Sequence, residues 1–269
     1  MHVPVSDPDP HVMNHISGKQ PPFPAWMKRT VQLLGGESVY RLQRSHVLVA
    51  GLGGVGSMAA EMLVRSGVGT ITIADSDRVQ SSNINRQVPA LHSTLDQPKA
   101  AVMAGRLKAI NPELILHSHE TFLDESSIGS LLEEHAVDYV VDAIDTLTPK
   151  IQLIVQAVTR NIPLASSMGS AGKTDPSTIR IADLAKSYHC RLAYILRKKL
   201  RKFGVHGGFR VVFSTEAVDK SLVIPVEDEP NKKSTLGTVP WIPAIFGSML
   251  AAIAVEDLTG SDTSRYREK

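Results

Sequence analysis

From His46 to Ser167, short β-branched runs alternate with longer amphipathic ones. The strand-like runs are Val47–Ala50, Thr70–Ala74, Leu114–His117, Tyr139–Val141 and Pro163–Ser166; the helix-like ones are Val55–Ser66, Gln97–Ile110, Glu125–His135 and Pro149–Arg160. Val47–Ala50 carries no polar alternation, which fits a strand covered on both faces. Strand and helix in turn predict an α/β fold built on a doubly wound, mostly parallel sheet, whose ligand lies beyond the carboxyl ends of the strands. From Met168 the pattern changes. Gly169, Gly172, Asp175 and Pro176 break the chain, Ile179–Ile181 and Val211–Phe213 read as strands, Ala182–Lys202 reads as a basic helix, and Val226–Thr238 is polar and turn-rich. Residues 168–269 are therefore expected to be an additional sheet and loop extension on the core formed by residues 25–167. Residues 1–24, with Pro4, Pro8, Pro10, Pro21, Pro22 and Pro24 among Asp, His and Ser, sustain neither helix nor strand and read as a disordered tail.

Val239–Val255 is apolar nearly throughout, but Pro240 and Pro243 crowd its start and Glu256 and Asp257 close it. Its small residues suit a buried, closely packed helix, so no integral membrane span is expected. The 269 residues suffice for one large core, and a net charge of +2 identifies no partner. The single cysteine, Cys190, excludes an intramolecular disulfide and fits a reducing, cytoplasmic setting. Adjacent helical residues point in different directions, so His189 is not a ready base for that thiol, and inert packing is the expectation.

The chemistry begins at VLVAGLGGVGS. Gly51, Gly53, Gly54 and Gly56 lie between a strand and a helix, where backbone N–H groups and the helix dipole face an anion. Such a loop alone suits NAD or FAD. Asp75, at the end of the second strand, is placed to accept hydrogen bonds from a ribose. Arg86 offers a planar fork for phosphate oxygens, while Asn83 and Gln87 can orient a triphosphate or a carboxylate. Lys99 follows Pro98 at a helix start and can project back to a phosphate. In VVDAIDT, Asp145 suits Mg²⁺, with capping of the next helix as its competing role, and Asp142 reads as structural support. Together these residues favour ATP and Mg²⁺ over a dinucleotide. Arg197, Lys198, Lys199, Arg201 and Lys202 form the strongest charge run, with Lys232 and Lys233 a smaller one; a solvated face and a nucleic-acid contact both fit.

GLGGVGS, Asp75–Ser76–Asp77, SNINRQ, QPK and DAID resemble the Rossmann-like adenylation core of the ubiquitin-activating and sulfur-carrier-activating superfamily, over Arg29 to Ser167. The resemblance implies adenylation of a carboxylate, with Gly54 against the nucleotide, Asp75 on the ribose, Arg86 and Lys99 on phosphates and Asp145 on Mg²⁺. Arg29 matches an arginine that reaches the partner subunit's ATP site, which implies a homodimer. SSMGSAGKTDPSTIRIADLAKSYHC, VVFSTEAV and NKKSTLGTVPWIPAIFG are similar to the tRNA threonylcarbamoyladenosine dehydratase family. That similarity implies a tRNA substrate bearing threonylcarbamoyladenosine, and leaves room for a sulfur-trafficking partner protein. The family often has a cysteine where Leu236 stands here, so no thiolate acts at that position. The alternative is activation of a ubiquitin-like sulfur carrier, but the paired C-x-x-C motifs usual in those activators are missing.

Overall fold

The computed structural model describes residues 23–260 except 135, 220, 222 and 226–233. The tail, apart from Phe23 and Pro24, and Lys232 and Lys233 lie outside the described residues. Two helices, α1 (Lys28–Leu34) and α2 (Gly36–Arg44), lead into β1 (His46–Ala50), α3 (Gly56–Ser66) and β2 (Thr70–Ala74). Then follow α4 (Lys99–Ile110), β3 (Ile115–His119), α5 (Glu125–Glu134), β4 (Tyr139–Asp142), α6 (Leu147–Thr159) and β5 (Leu164–Ser167). The later part adds β6 (Ile179–Asp183), α7 (Arg191–Leu200), β7 (Arg210–Ser214), a hairpin-like pair β8 (Val223–Pro225) and β9 (Ser234–Leu236), and α8 (Trp241–Thr259).

Seven strands form one sheet in the order β3-β2-β1-β4-β5-β7-β6, parallel except for β6, which runs antiparallel to β7. The strand order reverses at β1, so the crevice between the carboxyl ends of β1 and β4 is where such a sheet takes its ligand. Ala50 lies beside both Ala74 and Asp142 in register, which brings Gly51, Asp75 and Ala143 to one level. Alternate side chains serve opposite cores. Val47, Val49, Ile71, Ile73 and Val141 join α3, α4 and α8 on one face; Leu48, Ala50, Ala74 and Val140 join α5, α6 and α7 on the other.

The extension shares these cores, with β7 and β6 continuing the sheet. The expected helix over Ala182–Lys202 is corrected to Arg191–Leu200. Asp183 accepts the Ala185 N–H at 2.7 Å and caps a short 3₁₀ turn, and Cys190 then starts α7 in extended backbone. By length and composition α8 is apolar enough to cross a membrane, yet half of that stretch is buried in the fold. It lies against α3 so closely that a Cβ at Gly247 would stand 2.3 Å from the Val55 carbonyl oxygen.

Candidate adenylation site

Two glycines of the loop are fixed by backbone geometry. Gly51 has φ +87°, and a Cβ at Gly56 would stand 1.8 Å from the Gly51 oxygen. The Gly51 N–H donates to Ala74 O at 2.9 Å, tying the loop to β2. α3 begins without a side-chain cap, and the Gly53 and Gly54 N–H groups find no acceptor among the described residues. A Cβ at Gly53 would meet only the Gln87 amide nitrogen, 3.9 Å away. One side of the loop is thus left for an anion.

Asp75 holds the loop in turn. Its carboxylate accepts the Leu52 N–H at 2.6 Å and the Asp77 N–H at 2.8 Å. Burial raises its pKa above the ordinary carboxylate value, against the opposing pull of Lys99 and these two N–H groups. Lys99, only 6% exposed, sits in the first turn of α4 with Nζ 2.7 Å from an Asp77 oxygen. An ammonium has three donors, so one such bond leaves two for phosphate oxygens.

Asn83 is buried and accepts the Gln80 N–H at 3.1 Å, which fixes the 3₁₀ turn Ser81–Asn83. Gln87 is buried beside the loop, and its Oε1 has no hydrogen-bond partner among the described residues. A buried amide oxygen without a partner costs free energy unless a ligand serves it. Arg86 donates to Ser82 O and Asn85 Oδ1, both at 2.8 Å. Burial lowers its pKa, and the Asp145 charge opposes that shift, so the fold brings Arg86 and Asp145 within electrostatic reach.

Asp145 is exposed on the turn after β4, and Thr146 is the residue at the N-cap of α6, so the capping role is not taken by Asp145. Asp142 instead is fully buried and ion-paired to Lys150 Nζ at 2.8 Å, with Ser166 Oγ donating to it at 2.6 Å. Lys150 was not legible as a functional support, because it stands in an amphipathic run where a lysine reads as solvent-facing. Among the described residues no three His, Cys, Asp or Glu side chains gather as a metal cage. A lone carboxylate at the phosphate end still fits Mg²⁺, which typically takes one or two carboxylates and completes its shell with phosphates and water. Arg29 is exposed on α1 and makes no side-chain hydrogen bond or ion pair among the described residues. Cys190 is buried, in keeping with packing.

The C-terminal segments close on this loop. Pro243 of α8 would lie 3.0 Å from a Cβ at Gly54, and the Trp241 indole N–H donates to Thr174 O at 2.9 Å. The Gly172 N–H donates to Gly237 O at 2.8 Å, and the Asn85 amide donates to Thr238 O at 3.1 Å. Glu216 secures the segment from Gly172 to Asp175 by accepting the Thr174 and Asp175 N–H groups.

A glycine loop at the switch point of the sheet, with Asp75, Arg86, Lys99 and Asp145 around it, is the arrangement of an adenylate-forming domain, and the chain belongs to the ThiF family, whose profile matches residues 27–269. Within that family it groups with the tRNA threonylcarbamoyladenosine dehydratases. It is 45% identical over 236 residues to the enzyme of that name from Bacillus subtilis, covering 84% of this chain and 91% of the relative. The Escherichia coli counterpart is 39% identical over 214 residues, 76% of this chain and 78% of that one. The solved structure of the E. coli enzyme in complex with ATP superposes with a TM-score of 0.78 at 34% identity, over 91% of this chain and 98% of that chain.

Proposed function

We propose that this protein is an ATP-dependent enzyme that cyclises threonylcarbamoyladenosine in tRNA. The threonyl carboxylate attacks the α-phosphorus of ATP, and pyrophosphate leaves. A nitrogen of the same side chain then attacks the acyl carbon, AMP departs and the ring closes with net loss of water. The observation that carries the reading is the seam just described, where the segments similar to the dehydratases meet the nucleotide loop at Gly54 and the SNINRQ segment at Asn85. That similarity through both halves also sets the sulfur-carrier alternative aside.

The loop N–H groups and the α3 N-terminus would hold phosphate oxygens, Asp75 the ribose, and Arg86 and Lys99 the charge of the departing pyrophosphate. The unpartnered Gln87 oxygen and the Asn83 turn border the same space. Mg²⁺, held by Asp145, would neutralise phosphate charge. The reacting nitrogen is tethered to the acyl carbon, so positioning and charge neutralisation supply most of the acceleration. Arg29 would complete the site of a second copy in a homodimer, in the cytoplasm. A sulfur-trafficking protein is a further partner in this reading.

Purified protein should release AMP and pyrophosphate only with tRNA that bears the threonylcarbamoyl group, and nucleoside mass spectrometry should show loss of one water. Equal AMP release with unmodified tRNA, or no ring closure, would refute the proposal.

A further inference from the structure

We infer that the outward face of α7 and the turn that follows it receives the RNA, an inference that rests on the tRNA reading above. Between Asp183 and Glu216 the chain has no acidic residue, and α6, packed beside α7, has none either. Ala193, Leu196 and Leu200 turn inward to the core. Arg191, Tyr194 and Lys198, three and four residues apart, share the opposite face, and Lys199, Arg201 and Lys202 continue it through the helix end. At 1.5 Å per residue this basic stripe is roughly 18 Å long. Arg197 is not part of it, because its guanidinium donates to Leu184 O and Ser187 O. The other five cations make no ion pair among the described residues.

The stripe starts near the catalytic edge. The Tyr188 ring packs 5.5 Å from Phe213, at the carboxyl end of β7, while Arg197 of α7 donates to Leu184 O and the Leu184 N–H donates to Phe209 O, just before β7 begins. A chain of phosphates whose modified nucleotide lies at the glycine loop can follow it. Exposed aromatic rings interrupt the cations: Tyr188, Tyr194 at 61% and Phe203 at 60% exposure. Cations alone would fit an acidic protein equally well. Rings that offer flat faces between them fit unpaired bases, which stack, and so favour RNA.

The test is binding of the full-length protein to unmodified tRNA, followed by fluorescence anisotropy over a salt series. The triple substitution Lys198→Ala, Arg201→Ala, Lys202→Ala should lower affinity tenfold or more near physiological salt. It should also reduce the slope of log K against log salt by about 2 to 3, at roughly 0.7 to 0.9 for each phosphate that is no longer neutralised. Tyr194→Ala should weaken binding without changing the slope, and Lys198→Arg should retain both. In turnover with modified tRNA the triple variant should raise KM and leave kcat as it is. Unchanged affinity and slope would overturn the inference. Because binding to unmodified tRNA needs no chemistry, a wild-type protein that binds through α7 yet never cyclises its substrate would sink the proposed function alone.

Discussion

Replacing Lys150 by Met tests whether the floor of the site is electrostatic. Asp142 and Lys150 are both 0% exposed, with Nζ 2.8 Å from a carboxylate oxygen. Nζ also donates to Ile144 O at 2.9 Å, and Asp142 accepts the Ile144 N–H at 3.1 Å as well as Ser166 Oγ. The methionine variant leaves a buried carboxylate with two neutral donors and leaves the Ile144 carbonyl short of its lysine donor. Breaking one side of such a pair typically costs about 3–5 kcal/mol. In a protein of this size about 1 kcal/mol moves Tm by roughly 2–4 °C, so a fall of at least about 6 °C is expected. The double variant Asp142→Asn, Lys150→Met removes the unpaired charge and should recover much of the loss. Urea unfolding of wild type, both single variants and the double variant measures the coupling. A Lys150→Met loss below about 1 kcal/mol, within the range of ordinary surface changes, would refute the argument. The turn these residues anchor carries Asp145, so ATP affinity should fall with stability and recover in the double variant.

Gly53→Ala should leave stability within about 0.5 kcal/mol, since its Cβ meets nothing closer than 3.9 Å, but should weaken ATP binding measured by calorimetry. Gly56→Ala should instead destabilise the fold, because its Cβ would stand 1.8 Å from a backbone oxygen. Arg86→Ala and Asp145→Ala should each abolish tRNA-dependent AMP release while circular dichroism stays native; retained turnover in either variant would remove that residue from the site. Glu61 is buried, and its bonds to Arg106 and Arg65 outweigh desolvation and hold its pKa below the ordinary 4.5. Its contribution to stability is therefore complete above that value and lost as pH falls through the lowered one. The acid limb of the unfolding curve should flatten in Glu61→Gln.

The parallel half of the sheet was legible because buried strands write unbroken β-branched runs, and the edges shifted by only a residue or two, as when Leu114–His117 became Ile115–His119. The glycine loop was legible because backbone geometry restricts what can stand at Gly51 and Gly56, whereas Asp75 and Lys99 were read from their places at a strand end and a helix start. What remained hidden depended on partners distant in sequence. The antiparallel direction of β6 is set by its pairing with β7, and the length of α7 by Asp183 and Cys190. Lys150 is defined by an aspartate on β4, and Trp241 by a carbonyl at Thr174, neither of which any local period records.

The packing of α8 on α3 has a consequence for the order in which the molecule is finished. Residues 241–259 lie far in sequence from α3, yet they cover the helix that starts at the nucleotide loop, with Pro243 against Gly54 and Gly247 against Val55. Until α8 docks, that side of α3 is bare. Contacts that span so much sequence form late, since the loop they close is paid in entropy first. The cover over the helix that starts at the glycine loop is therefore complete only once α8 has docked on α3.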